Sequence, residues 1–269
     1  MDRSNEFNKI IKKIKRNRKI VIALSIVAVI IVFNLCGPTH LSILDKTIID
    51  YKGVSPIIAV LLFALVLFVE AIAYALVSSP LTTSLEVECD PEKHLFLNSS
   101  LENQNKDQIY AVDFIYMGNF EVALNYANKM VESKKTSMIL SGLFNKARCE
   151  FFMGEYESLK LTVQQYENVF NNMKKPNQKV KETFEKILKI MNLMVAISCE
   201  NKEEISDVSN ITVWNNLKVT QGFVDYLKGV SAYLIDNEKE AVYRFMSVKE
   251  NCEKTVFAKL AEEYLLKLE

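Results

Sequence analysis

Three observations predict an all-α chain with two transmembrane helices followed by an α-solenoid of about four helix pairs and a C-terminal capping helix. Two long apolar runs precede residue 78, apolar residues recur at helical spacing beyond residue 107, and short glycine or polar corners return at a near-regular interval. Only 7 glycines and 5 prolines occur in 269 residues, a composition that favours helices over a turn-rich β fold. These features divide the chain into a basic tail (1–19), a membrane anchor (20–77), a linker (78–106) and a helical repeat domain (107–269).

The formal net charge of +0 hides an asymmetry. Arg3, Lys9, Lys12, Lys13, Lys15, Arg16, Arg18 and Lys19 crowd the first nineteen residues against only Asp2 and Glu6. Such a cluster suits either a nucleic-acid patch or the cytoplasmic flank of a span. Phe7 is the one aromatic side chain among these lysines that could stack on a base, and an apolar run follows directly, so the flank is expected and nucleic acid is not.

Ile20 to Leu35 is apolar apart from Ser25 and Asn34 and covers about 24 Å as a helix, slightly under a bilayer core of roughly 30 Å. No A-x-A site follows it, which argues against a cleaved signal peptide. Val54 to Val77 is the longer run, interrupted by Pro56 and Glu70. With basic residues concentrated before the first run, the positive-inside rule predicts an integral membrane protein of two spans with both termini cytoplasmic. Glu70, an acid inside a span, is then a candidate intramembrane functional residue for ion or proton relay or for a partner's helix, against a structural protonated Glu.

Between residues 78 and 106 the periodicity lapses into Ser-Ser-Pro, an acidic patch from Glu86 to Glu92 and a polar Asn-Gln run, which reads as a solvated spacer. Five cysteines without a C-x-x-C pair are not a disulfide framework, and Cys149, Cys199 and Cys252 fall in helical patterns as small hydrophobes. The two histidines, His40 and His94, have no cysteine at ligand spacing, so no metal is expected. Gly-rich phosphate loops, H-E-x-x-H and G-x-S-x-G are absent; neither an enzyme nor a cofactor is expected.

The repeat domain carries the main signal. Tyr116-Met117-Gly118-Asn119-Phe120 reads as a helix–helix corner: Gly118 supplies a left-handed stop, Asn119 a cap for the next helix, and Ala123 room for close approach. Comparable corners stand at Gly154, at Cys199-Glu200-Asn201 and at Ile235-Asp236-Asn237. The third follows the polar insertion Lys174 to Lys179, and Trp214 is expected to anchor an irregular third pair. Thr255 to Leu268 reads as a helix covering the last pair.

These residues resemble the tetratricopeptide repeat (TPR), in which a small residue and an aromatic on the first helix precede a Gly-x-aromatic corner and an early alanine on the second. The first unit supplies Ala111, Phe114, Gly118, Phe120 and Ala123, and the last Gly229, Tyr233, Ala241 and Phe245. The second has Leu159 where the small residue belongs, the third keeps little beyond spacing, and the proline that closes each repeat is absent. The resemblance implies a concave surface formed by the first helix of each pair. Its candidate partner-groove positions are Gln108, Val112, Phe144, Asn145, Arg148 and Tyr226, with Ile190, Met194 and Val230 also inward.

That lining is mainly apolar. It does not support a carboxylate clamp for a peptide terminus and better suits an apolar or amphipathic segment of a protein or peptide partner. The expected function is a membrane-anchored interaction module; the lysines from Lys174 to Lys181 read as a solvated loop that, close to a membrane, could touch membrane lipid headgroups. The competing expectation is an accessory subunit of a membrane transporter or enzyme complex in which the spans and Glu70 carry the essential role.

Overall fold

A computed structural model describes residues 3–36, 64, 67–68, 79–81, 83–100, 106–174, 176–208, 211–215 and 217–269. The chain is all-α, with no strand among the described residues. It divides into two compact units, Met1–Pro80 and Leu81–Glu269.

The first unit contributes α1 (Arg3–Cys36), a helix of 34 residues whose front half carries the basic tail. Beyond it Ile20, Ile22, Leu24, Ile26, Val27 and Ile30 are exposed. Among the described residues no helix is long and apolar enough to cross a membrane. This points against the integral two-span placement with cytoplasmic termini expected from the sequence. The first apolar run is the second half of a helix that begins among charged residues, and its uninterrupted part is short for a bilayer core of roughly 30 Å. Glu70 and the second run lie outside the described residues, apart from residues 64, 67 and 68.

The second unit begins within the stretch expected as a linker, where α2 (Pro91–Ser100) forms and packs on the next helix. Asp90 starts it by accepting a hydrogen bond from the Lys93 backbone N–H at 3.0 Å. Four pairs follow: α3 (Lys106–Met117) with α4 (Phe120–Val131), α5 (Thr136–Met153) with α6 (Tyr156–Asn171), α7 (Gln178–Ser198) with the short α8 (Lys202–Val208), and α9 (Lys218–Leu234) with α10 (Glu238–Asn251). The last helix is α11 (Val256–Leu268).

The four corners share one backbone solution. Gly118, Gly154, Glu200 and Asp236 have φ of 83°, 75°, 51° and 61°. At each, the N–H of the following residue returns to a carbonyl five positions back: Asn119 to Phe114 at 2.8 Å, Glu155 to Glu150 at 2.9 Å, Asn201 to Ala196 at 3.1 Å and Asn237 to Ala232 at 2.8 Å. This is the Schellman arrangement, which satisfies carbonyls that the helix end would leave orphaned. Five residues past each left-handed position stands a fully buried side chain, Ala123, Leu159, Ile205 or Ala241, so each second helix enters in the same register. The Asn119 side chain makes no cap hydrogen bond, contrary to expectation. Asn201 and Asn237 do cap, accepting from Glu204 and Glu240 at 3.3 Å.

Side-chain size decides how close the pairs come. A Cβ on Gly142 would sit 2.8 Å from the Met130 Cβ and 2.9 Å from the Val131 backbone nitrogen, so α5 needs glycine where it crosses α4. The first helices contact one another in order, α3 with α5, α5 with α7, and α7 with α9. The C-terminal helix then does more than cover the last pair. It packs against α9 and α10 and also returns to α3, which closes the inner helices into a ring.

Phe257 makes that closure. It is fully buried, with its ring 5.6 Å from Tyr116 on α3, 5.5 Å from Phe152 on α5, and 5.3 and 5.9 Å from Phe223 and Tyr226 on α9. Beside it Val256 occupies the space that a Cβ on Gly118 would need, at 2.8 Å. The segment before α11 is tied to the start of the unit as well. Lys254 meets the buried Asp90 at 2.9 Å, and the Cys89 and Cys252 sulfurs lie 3.4 Å apart. Of the other cysteines, Cys149 is buried as expected, burial pushing its thiol up to about 12, whereas Cys199 is exposed at the third corner.

Phe257→Ala removes the ring on which three helices converge and is expected to cost about 3–5 kcal/mol in urea unfolding. A loss under about 1 kcal/mol would show that α11 does not complete the core. The closure also predicts that a thiol oxidant such as diamide joins Cys89 to Cys252 before any other pair, read by peptide mapping; preferential cross-linking of Cys199 instead would contradict it.

Candidate functional site

Inside the ring lies a half-open cavity of about 440 Å3. Gln108, Val112 and Tyr116 from α3 form one wall, and Phe144, Asn145 and Arg148 from α5 the next. Phe184 and Ile187 on α7, Trp214 and Leu217 in the connection before α9, and Thr220 on α9 complete it, with His94 reaching in from α2. Helical spacing explains the α5 contribution: Phe144 and Asn145 precede Arg148 by four and three positions, so both share its face.

Five of the six groove positions expected from sequence therefore meet in one cavity. Tyr226 does not. It is buried in the aromatic cluster around Phe257, and burial holds its hydroxyl well above the ordinary tyrosine range. Ile190, Met194 and Val230 are also core residues. A residue on an inner helix lines the cavity only where no other element fills the space before it, and α11 fills it before α9.

Arg148 is the electrostatic centre of the site. Its residue surface is 1 % exposed, and its guanidinium carbon lies 5.0 Å from the ring centres of Tyr116 and Phe223 and 5.3 Å from that of Phe144. Ring faces attract a cation, each by about 1–2 kcal/mol when desolvated, but they do not replace hydrogen bonds to the N–H groups. Nε and Nη2 have no partner among the described residues. Glu150, two positions on, lies on another face of α5 and meets Lys146 at 3.8 Å, and burial raises its carboxyl above the usual range. Among the described residues Thr220 also has a buried hydroxyl without a partner, and the Asn145 amide meets the Met130 sulfur at 3.9 Å.

A second charged group borders this region. His94 Nδ1 lies 2.8 Å from both carboxylate oxygens of Asp113, whose side chain is wholly buried on α3. Desolvation outweighs the histidine's attraction and lifts the Asp113 carboxyl to about 6. Sequence reasoning missed this pair because His94 stood in a presumed linker. The available signal was Asp113 itself, an acid between Val112 and Phe114 in an apolar stripe. Trp214, expected as an anchor, is half-buried and packs edge-on against Phe144 at 4.9 Å.

A different depression of about 450 Å3 lies between the third and fourth corners and the end of α11. Its Lys202 and Asp236 already pair with each other at 2.6 Å on the surface. Among the described residues no group of three or more His, Cys, Asp or Glu is placed to hold a metal ion.

Because the Asp113 carboxyl is raised on folding, the folded chain holds that proton more tightly than the unfolded chain between about pH 4 and 6. Stability contributed by this group falls as pH rises through that window and is level above it, by on the order of 2–3 kcal/mol. Asp113→Asn keeps an acceptor for His94 without the charge, and its urea-unfolding profile is expected to lack the decline; an unchanged slope would exclude Asp113 as the source. Compared with known proteins, the chain matches no family model, no curated protein and no solved structure.

Proposed function

We propose that this chain is a non-catalytic interaction protein, a TPR-like α-solenoid whose cavity mouth receives an apolar or amphipathic segment of a protein partner. The observation that carries this reading is the convergence of Gln108, Val112, Phe144, Asn145 and Arg148, drawn from two different pairs, on one half-open and mainly apolar cavity. The shared Schellman geometry of the corners and the equal register of the second helices support the repeat reading. Apolar walls with a few polar groups suit a segment whose side chains insert while its polar face stays in water. The accessory-subunit alternative depends on the two spans, and no described helix is long and apolar enough to be one.

Helical peptides selected by display against the full chain test this function. Val112→Arg places a charge at the cavity wall and is expected to weaken selected binders about tenfold or more, with helix content by circular dichroism unchanged. Binders that ignore the substitution would place the partner surface elsewhere and remove the support for this reading.

A further inference from the structure

We infer that the cavity binds a small organic acid, an apolar or aromatic body bearing one carboxylate that pairs with Arg148. This inference does not depend on whether a partner segment also docks at the mouth.

An arginine that is 1 % exposed and whose guanidinium lacks partners at two nitrogens among the described residues is an expensive group to bury. Those two nitrogens are also chemically significant. By the covalent geometry of guanidinium, Nε–H and Nη2–H lie on the same edge and point the same way, as a fork spaced for two oxygens of one carboxylate. A purely structural arginine would be expected to hold a carboxylate or carbonyl there.

The surroundings select the rest of the ligand. Tyr116, Phe144, Phe184 and Trp214 offer aromatic surface, and the volume of about 440 Å3 falls in the range of small-molecule sites. Thr220 and Asn145 supply additional hydrogen-bonding groups of their own. A peptide backbone threaded to this depth would bring a row of N–H and C=O groups into a largely apolar space with few partners. A compact acid brings one charge, for which a counter-charge waits, and an apolar body. Both nitrogens are covered in the structure, so pairing with an acid requires the guanidinium to turn toward the cavity, which disturbs the Phe144 ring that touches it. Because Phe144 packs on Trp214, the single tryptophan of the chain, binding changes tryptophan emission.

The test is a fluorescence titration of the full chain with 3-phenylpropionate and with its neutral isostere 3-phenylpropanamide. The acid is expected to give a saturable change in Trp214 emission, and the amide to bind about tenfold or more weakly, the worth of a charge-assisted hydrogen bond. Arg148→Met is expected to erase the preference, and Arg148→Lys, which keeps the charge but loses the fork, to retain part of it. Equal binding of acid and amide by the unaltered chain, or no saturation by the acid in the millimolar range, would overturn the inference even if both variants failed to fold. Peptides that depend on Val112 alongside equal acid and amide binding would refute the acid site while leaving the partner reading intact. An acid preference without any peptide binder would do the reverse.

Discussion

The packing of Phe257 against Tyr116, Phe152, Phe223 and Tyr226 is the contact on which the second unit depends. In an open array each pair leans only on its neighbours, and stability is close to a sum of local terms. Here one side chain from the last helix touches the first, second and fourth pairs at once. The close approach of Val256 to Gly118, the Lys254–Asp90 ion pair and the meeting of Cys89 with Cys252 all follow from seating that ring. Large aromatic surfaces removed from water supply the driving force, and the glycine at the first corner gives the incoming helix its space.

The same packing decides where the interior is full and where it is open. On one side of Arg148 the rings of Tyr116 and Phe223 belong to the cluster that α11 completes. On the other, Phe144 and Trp214 face a cavity into which no described helix enters. Arg148 thus stands at the boundary between core and cavity. The His94–Asp113 pair occupies a comparable place, tying α2 to α3 by a contact whose charge state changes within the mildly acidic range.

Local features were the most legible in sequence. The corners at Gly118, Gly154, Glu200 and Asp236 were readable because a left-handed stop, a polar residue after it and a small or apolar residue on the next helix are all encoded within about eight positions. The inward positions on α3 and α5 were readable from that register. Tyr226 was misassigned because its register says only that it points inward, and what it meets there comes from a segment some thirty residues later. The apolar pattern of α11 announces an amphipathic helix but not that three separate pairs share it. The linker reading of residues 78–106 failed at α2, whose polar sequence carries little periodicity and whose anchor, Asp90 with Lys254, is distant in the chain. The spans were expected from apolar runs alone, without the continuity of the first run with a charged helix.

Ring closure by the final helix bears on how the chain acquires its structure. A repeat array with local contacts can add one pair at a time as it leaves the ribosome. In this chain the first pair can form its corner early, but the surface of α3 that Tyr116 presents stays uncovered until α11 has been synthesised more than a hundred residues later. Contacts of such sequence separation slow folding, because the loop between them must be ordered before they form. Synthesis that stops before Val256 would therefore leave an exposed aromatic face on otherwise well-formed helices, the kind of surface that chaperones hold and that aggregation exploits.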